Sequence, residues 1–502
     1  MSVKPAATQW QPFFQRWAGT GLSLQGQIRQ MMVSVILDEQ HPVDAPIPSS
    51  REMAVHLGVA RNTVVIAYQA LVDEGYLVSR ERKGYFINTH ILAGRVERDS
   101  TPRQAPLAPP DWSRRFRFRP TEQRNIQKSA DWQRYPYPFL YGQYDSRLFP
   151  TAEWRECCMK TLSVLEIHEW AQDMLQRDDA SLIEQIRTRV LPRRGVWASA
   201  DEIVITVGAQ HALYLLADLL ASDDTPVGLE NPGYPDARNI FGSRTRHLVS
   251  LPVDEDGLQL SEALSRCDYV YVTPSHQCPT TVTLPLARRK ALLERAEADD
   301  FILIEDDYES ENRVEGDSLP TLKSLDRSDR VIHIGSLSKS IAPGLRLGYV
   351  VGPATLIAEL RGIRRLNLRH PSAYMQRAFA LFLSLGHHDA LLRRLSAAYR
   401  QRGEILLAAL AEHAPMLTPT RISGGASCWV RGPAGLDADA LAAVAAQHGV
   451  LIEPGSVFFN QRVPPNNYFR LGFSAIQDEA VIPGIKALVQ CIALMPDAPK
   501  EV

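Results

Sequence analysis

No run of the sequence approaches the roughly 18 consecutive apolar residues a membrane helix requires. The opening MSVKPAATQWQPFF also lacks the apolar stretch of an export signal, so a cytoplasmic protein without membrane contact is expected. None of the six cysteines, at 157, 158, 267, 278, 428 and 491, forms a Cys-x-x-Cys pair. Over so long a chain they read as reduced, mostly buried thiols; no disulfide framework and no metal site is expected. Net charge is nearly absent: 55 Lys and Arg face 57 Asp and Glu, a balance of −2. That excludes a wholly basic, nucleic-acid-coating protein but leaves room for one basic face. No internal repeat stands out.

What the sequence does have is length and apolar content. Its 502 residues, 45% apolar and 22% charged, match globular averages and suggest about three domains at roughly 150 residues each. Three zones differ in composition. Residues 22–90 form a compact block with helical periodicity. Residues 91–130 form a Pro/Arg-rich linker: prolines at 102, 106, 109, 110 and 120 exclude a regular element, and between 91 and 120 seven arginines face three acids, Glu97, Asp99 and Asp111. In the third zone, 131–495, the apolar runs EIVITV, YVYVTP, FILIED and VIHIGS alternate with amphipathic stretches of helix length. Such runs predict a parallel or mixed sheet covered on both faces. Ligands of these sheets bind beyond the carboxyl ends of the strands.

In the first block, Gln25 to Leu37 carries Ile28, Met31, Met32, Val35 and Ile36 at helical spacing. PSSREMAVHLGV offers Ser49 or Ser50 as an N-cap, turns Met53, Ala54 and Leu57 inward and ends at Gly58. RNTVVIAYQALVDEGY predicts a helix facing inward through Val64, Ala67, Tyr68 and Leu71 and closed by Gly75. Together these make a helix-turn-helix, and YLVSRERKGYFIN reads as a hairpin wing tipped by Lys83 and Gly84. Arg61, Asn62 and Thr63 open the second helix, the part that enters a major groove. Arg51 and the wing's Arg82, Lys83 and Gly84 would meet phosphates. The same helices also serve elsewhere as a plain packing unit, and six basic against seven acidic residues between 24 and 90 do not decide the matter.

In the third zone, VIHIGSLSKSIAPGLRLGYV puts Lys339 just after a buried strand. A lysine there, with its pKa lowered by desolvation, can condense with an aldehyde. Ser336, Ser338 and Arg346 suit a phosphate beside it. FILIEDDYES ends a strand in Glu305, Asp306 and Asp307, then Tyr308: an acid there could pair with a pyridinium nitrogen and Tyr308 with a phenolic oxygen, although such acid clusters equally suit Mg²⁺. In ITVGAQHAL the chain turns at Gly208 into a helix whose first amides, with Ala209 and Gln210, could cradle an anion. ENPGYP places Tyr234 where its ring could stack on a cofactor.

Taken as whole strings, these segments carry two resemblances. P-S-S-R-E-M-A, L-G-V-A-R-N-T-V, E-G-Y-L and the Gly-tipped wing resemble the GntR-type winged helix-turn-helix. The third zone, over roughly 140–495, resembles the fold-type I aminotransferases that bind pyridoxal 5′-phosphate (PLP). The combination is the layout of the MocR/GabR family of bacterial transcription regulators. It implies a multidomain chain: a winged head, then an α/β body with a large mixed sheet, helices on both faces and a smaller α+β subdomain. It further implies Lys339 as the PLP Schiff-base lysine, with Asp306, Tyr308, Tyr234, Ala209, Gln210, Ser336, Ser338 and Arg346 as cofactor ligands. Arg470, in FRLGFS, would hold an effector carboxylate. The resemblance further implies a homodimer, paired head-to-tail, that binds a double-stranded DNA operator. It would sense an amino compound by external aldimine formation at Lys339; the alternative is an active aminotransferase with an autoregulatory head.

Three positions depart from the pattern. Cys278 and Thr281 stand where aminotransferases have Asn and Gly, and a thiol cannot supply the amide donor. The tyrosine and glycine expected ahead of RRGV are not evident in AQDMLQRDDASLIEQI. Asp236 stands where the γ-aminobutyrate-sensing regulator that this sequence resembles has arginine; either it attracts an effector with a second positive charge, such as a diamino acid, or it simply points to solvent.

Overall fold

The computed structural model describes residues 10–38, 40–91, 110–174, 177–309, 319–339, 341–422 and 424–495. The chain divides into two units, 1–115 and 116–502. Of the Arg/Pro-rich stretch expected as linker, 92–109 lies outside the described residues.

The N-terminal unit contains α1 (Trp10–Gln15), α2 (Leu24–Leu37), α3 (Ser50–Leu57) and α4 (Arg61–Asp73), then β1 (Leu77–Arg80) and β2 (Gly84–Ile87). Helix α3 starts where it does because Ser49 and Glu52 cap each other: Ser49 Oγ accepts the Glu52 N–H at 3.3 Å, and Glu52 Oε2 accepts the Ser49 N–H at 2.8 Å. It stops at Gly58, in the left-handed region at φ 67°. The apolar faces read from periodicity are the buried ones, Met53, Ala54 and Leu57 on α3 and Val64, Ala67, Tyr68 and Leu71 on α4. The Tyr68 hydroxyl donates to the Pro48 carbonyl at 3.0 Å, and its ring meets Tyr85 edge-on at 5.0 Å, fastening α4 to the wing. Helix α1 adds Trp10 and Phe14 to this core from upstream of residue 22. Six residues give too little period to be read as a helix.

In the C-terminal unit, β3 (Tyr137–Pro138) comes first. The large sheet comprises β4 (Ile203–Thr206), β5 (Val227–Asn231), β6 (Leu248–Asp254), β7 (Gly257–Leu258), β8 (Tyr269–Val272), β9 (Ile302–Asp307), β10 (Val331–Ser336) and β11 (Gly348–Val351). Their order is β4-β11-β10-β9-β8-β5-β6-β7. Strand β11 runs antiparallel to β10 and β4, and β7 to β6; the other pairs are parallel, so the sheet is mixed. Alternation along β9 shows that both faces are covered. Leu303 packs with Leu292 and Ala296 of the helix Leu286–Asp299. Ile304 packs with Leu213 of Gly208–Leu220 and Ile357 of Ala354–Leu368.

A smaller sheet joins β12 (Thr418–Pro419), β13 (Ser427–Arg431), β15 (Glu453–Pro454) and β16 (Tyr468–Gly472), while β14 (Val450–Leu451) pairs with β3. It packs on the helices His387–His413, Ala438–Gln447 and Asp478–Ala493, the expected α+β subdomain. The unit begins at Phe116, earlier than residue 131, because residues 123–128 are hydrogen-bonded onto it. Among the described residues no helix is long and apolar enough to cross a membrane.

Candidate functional site

The parallel strands converge at their carboxyl ends on a cavity of about 290 Å³. Strand β10 delivers Ser336, and the turn after it Ser338 and Lys339; β9 delivers Asp306 and then Tyr308. The turn after β4 brings Ala209 and Gln210, the loop after β5 brings Tyr234 and Asp236, and β16 brings Arg470. Arg346 completes the wall, so every cofactor and effector residue named from the sequence lines this one space.

The Lys339 side chain crosses the open cavity, and its Nζ donates to the Tyr141 hydroxyl at 2.8 Å and lies 3.9 Å from the centre of the Tyr308 ring. Burial of its amine lowers its pKa, against the pull of Glu309 and Asp306. The Tyr141 hydroxyl in turn donates to Glu309 Oε2 at 3.1 Å, and burial raises the pKa of that carboxyl. Asp306 Oδ2 accepts from the Tyr271 hydroxyl at 2.9 Å, whereas Oδ1 is buried without a hydrogen-bond partner. Burial lifts the Asp306 pKa to about 6, against the opposing charge of Lys339. The next residue points the other way along the strand: Asp307 meets Arg194 through Nε–Oδ2 at 2.7 Å and Nη2–Oδ1 at 3.1 Å.

Arg346 donates through Nη2 to the Val207 carbonyl at 3.1 Å, beside the start of the helix Gly208–Leu220. A Cβ on Gly208 would stand 3.2 Å from that Nη2, so the glycine leaves the guanidinium room over the helix N-terminus. Ser338 lines the cavity, but its Oγ donates to the Leu347 carbonyl at 3.0 Å and fastens the turn. Arg470, 2% exposed, donates through Nε to Glu453 Oε2 at 2.7 Å and lies over the Tyr141 ring at 4.3 Å. Asp236 is already occupied: Oδ1 accepts from Asn125 at 2.7 Å, and Oδ2 from Tyr234 at 3.0 Å and Gln210 at 3.1 Å. All three donors are uncharged side chains, and Asp236 still lines the cavity. Burial pushes the Cys278 thiol up to about 11, so it stays neutral, and Thr281 adopts φ 67° where aminotransferases have glycine.

In the N-terminal unit, Arg51, Arg61 and Asn62 are exposed, Thr63 is half-buried, and Arg82, Lys83 and Gly84 sit exposed at the wing. Ala60 gives α4 no side-chain cap, so no capping side chain covers the helix start at Arg61 and Asn62. The wing turn is held with Arg82 at φ 60° and Gly84 at φ 96°.

Two family models match the chain: "Bacterial regulatory proteins, gntR family" over residues 24–87, and "Aminotransferase class I and II" over 152–488. The transcriptional regulator TauR of Rhodobacter capsulatus is 42% identical over 480 residues, covering 96% of this chain and 98% of TauR. MocR of Rhizobium meliloti, a probable rhizopine catabolism regulatory protein, is 30% identical, covering 92% of each chain. This chain belongs to the MocR-type transcriptional regulators. Among solved structures, the α-aminoadipate aminotransferase LysN of Thermus thermophilus, complexed with N-(5′-phosphopyridoxyl)-L-leucine, is 28% identical with a TM-score of 0.69. It matches 76% of this regulator and 100% of its own chain. The kynurenine aminotransferase of Pyrococcus horikoshii, with PMP, gives 27% and 0.69 over 76% of this regulator and 98% of its own chain.

A fold-type I aminotransferase domain implies PLP, and the cavity of this MocR-type regulator fits that group. Asp306 Oδ1 is an unpartnered buried acceptor suited to a pyridinium N–H. Lys339 offers an amine with a lowered pKa, and Arg346 with the Gly208–Leu220 amides offers an anion cradle. Reading the sequence missed Tyr141, Tyr271, Glu309, Asn125 and Lys128. Glu309, three residues beyond Asp306, was the one with a local signal; the others meet the site across large sequence separations, 198 residues for Tyr141 and Lys339.

Proposed function

We propose that this regulator holds PLP at Lys339, reads an amino compound in the cavity and changes its grip on an operator accordingly. The observation that carries the reading is the unpartnered Asp306 Oδ1 in the same cavity as Lys339. When bound, PLP supplies an aldehyde that a primary amine can condense with and a ring that withdraws electrons. Asp306 would hold the ring nitrogen in its protonated form, and Tyr234 and Tyr308 would help hold the ring. Arg346 and the helix amides would hold the phosphate, and Arg470 would receive the acid end of the amino compound. Tyr141 accepts the Lys339 proton at its hydroxyl and can pass one on to Glu309 Oε2. Occupancy that favours one of two arrangements of the body then shifts DNA binding. A homodimer would cover apolar side chains exposed on the C-terminal unit, such as the neighbours Val164 (72%) and Leu165 (81%).

The test is the visible absorption spectrum of PLP-loaded protein, titrated with amino compounds, with Lys339→Ala as control. A Lys339-dependent band that shifts and persists while DNA affinity changes is the expected result. No Lys339-dependent band overturns the reading. Bleaching with keto-acid release would instead favour a working aminotransferase with an autoregulatory head, for which the complete set of Lys339, Asp306 and Arg470 speaks; Cys278 speaks against it. On the DNA side, Arg61→Ala is expected to weaken promoter binding about tenfold or more. Lys83→Ala should weaken it evenly across sequences and flatten its salt dependence, both read by fluorescence anisotropy.

A further inference from the structure

Residues 123–128, which composition assigned to the linker, form a strap across the mouth of the cavity. The strap is tied to the helix Pro235–Gly242: Gln123 Nε2 donates to the Asn239 carbonyl at 3.3 Å, and the Arg124 carbonyl accepts from Asn239 Nδ2 at 3.0 Å and Arg238 at 3.2 Å. Asn125 donates to Asp236, the carboxylate that also holds Tyr234 and Gln210. Ile126 packs against a buried cluster containing Cys278, Trp429 and Phe458. Lys128 then enters the cavity with its side chain 28% exposed.

The charges around Lys128 are incompletely matched. Its ammonium donates to the Tyr141 carbonyl and stands 3.5 Å from Glu453 Oε1, an oxygen with no hydrogen bond of its own. Glu453 spends its other oxygen on Arg470 Nε. Two cations therefore share one carboxylate. Among the described residues Arg470 bonds only through Nε, which leaves both terminal nitrogens to the cavity. Two partly satisfied cations beside one lysine-bearing cavity suit an anion, and charge-assisted hydrogen bonds are the stronger kind.

We propose that Lys128 is the second cation of the acid-end site and grips the carboxylate or sulfonate of the amino compound together with Arg470. Because Lys128 lies on the strap that continues into the linker, this grip reports occupancy toward the DNA-binding unit. The inference rests on the amino-compound reading above and adds a second gripping residue and the segment that senses occupancy.

The experiment uses full-length, PLP-loaded protein and three probes: 4-aminobutanoate, 3-aminopropanesulfonate and 1,4-diaminobutane. Binding is read by the visible band and independently by hydrogen exchange of peptides spanning 116–130. An acid-bearing probe is expected to bind better than the diamine and to slow exchange in the strap; the carboxylate and sulfonate arms show which acid is preferred. Lys128→Met should lower affinity for that probe about tenfold, the loss of one charge-assisted bond, and remove the exchange response, while Lys128→Arg restores both. Lys128→Met with unchanged affinity for the acid probe, or a wild-type strap that responds to no acid-bearing probe, overturns the inference whatever the band does. A Lys128-dependent strap response without any Lys339-dependent band would instead sustain it and remove the PLP reading.

Discussion

Replacing Arg194 by methionine is expected to destabilise the C-terminal unit by about 3–5 kcal/mol in chemical denaturation, the scale for removing one partner of a buried ion pair. The side chains of Arg194 and Asp307 are 5% and 2% exposed, and two parallel hydrogen bonds join them. Arg194 Nη2 also donates to Ser275 Oγ at 3.0 Å, so the pair pins the segment after residue 190 to the end of β9. Methionine fills part of the volume but removes the main counter-charge of the buried Asp307 carboxylate.

The pH dependence gives the second arm. Burial works against the Asp307 charge, but Arg194 and then His333 outweigh it and hold the carboxyl down at about 2. A folded pKa below the unfolded one, about 3.9, stabilises above pH 4, and that contribution is lost as pH falls from 4 toward 2. The variant lacks it, so the gap between the two proteins should close over that window. Asp306, its neighbour, has the opposite sign. Its folded pKa of about 6 means stability declines as pH rises from about 4 to 6, a penalty that a pyridinium partner would relieve. Arg194→Met with Asp307→Leu should recover most of the stability. A loss below about 1 kcal/mol in the single variant would mean the pair is no stronger than a surface contact.

The faces of α2, α3 and α4 were legible because helical periodicity is a local property: Ile28, Val64 and Leu71 declare their side within two turns. The cavity was legible because parallel strands put chemistry at their carboxyl ends, and Asp306, Ser336 and Lys339 all follow apolar runs. The sequence is silent where a contact is distant or a side chain is already engaged. Nothing in PFLYG says that Tyr141 meets Lys339, and nothing near Lys128 says that it leaves the linker to face Glu453. Nothing around Asp236 in the sequence says that its oxygens meet Asn125 and Gln210 as well as the nearby Tyr234. Ser338 likewise has the right spacing for a phosphate, yet its hydroxyl is bonded to Leu347.

Gly472→Ala is expected to cost about 3 kcal/mol or more, at the upper end for overpacking, because the added carbon has nowhere to go. It would stand 2.2 Å from both the Leu140 carbonyl carbon and the Tyr141 nitrogen, and 2.5 Å from the Leu140 oxygen. These are backbone atoms, so no rotamer change relieves the clash; strand and segment must separate. The Gly472 N–H also donates to the Phe139 carbonyl at 3.1 Å, a bond that separation would break. The damage reaches the site, because Tyr141 holds the Lys339 amine and lies under Arg470, two residues before Gly472 on the same strand. The variant should therefore lose the Lys339–Tyr141 contact along with stability, seen as a changed pH dependence of Lys339 labelling by an amine-reactive reagent in PLP-free protein. Gly344→Ala is the control: its Cβ would meet nothing within 4 Å, and it should shift stability by no more than about 0.5 kcal/mol. If both variants behave alike, the close approach of 139–141 to β16 is not what positions Tyr141. If only Gly472→Ala falls, the absence of a side chain at that one position is what lets the small sheet and the Lys339 cavity share a wall.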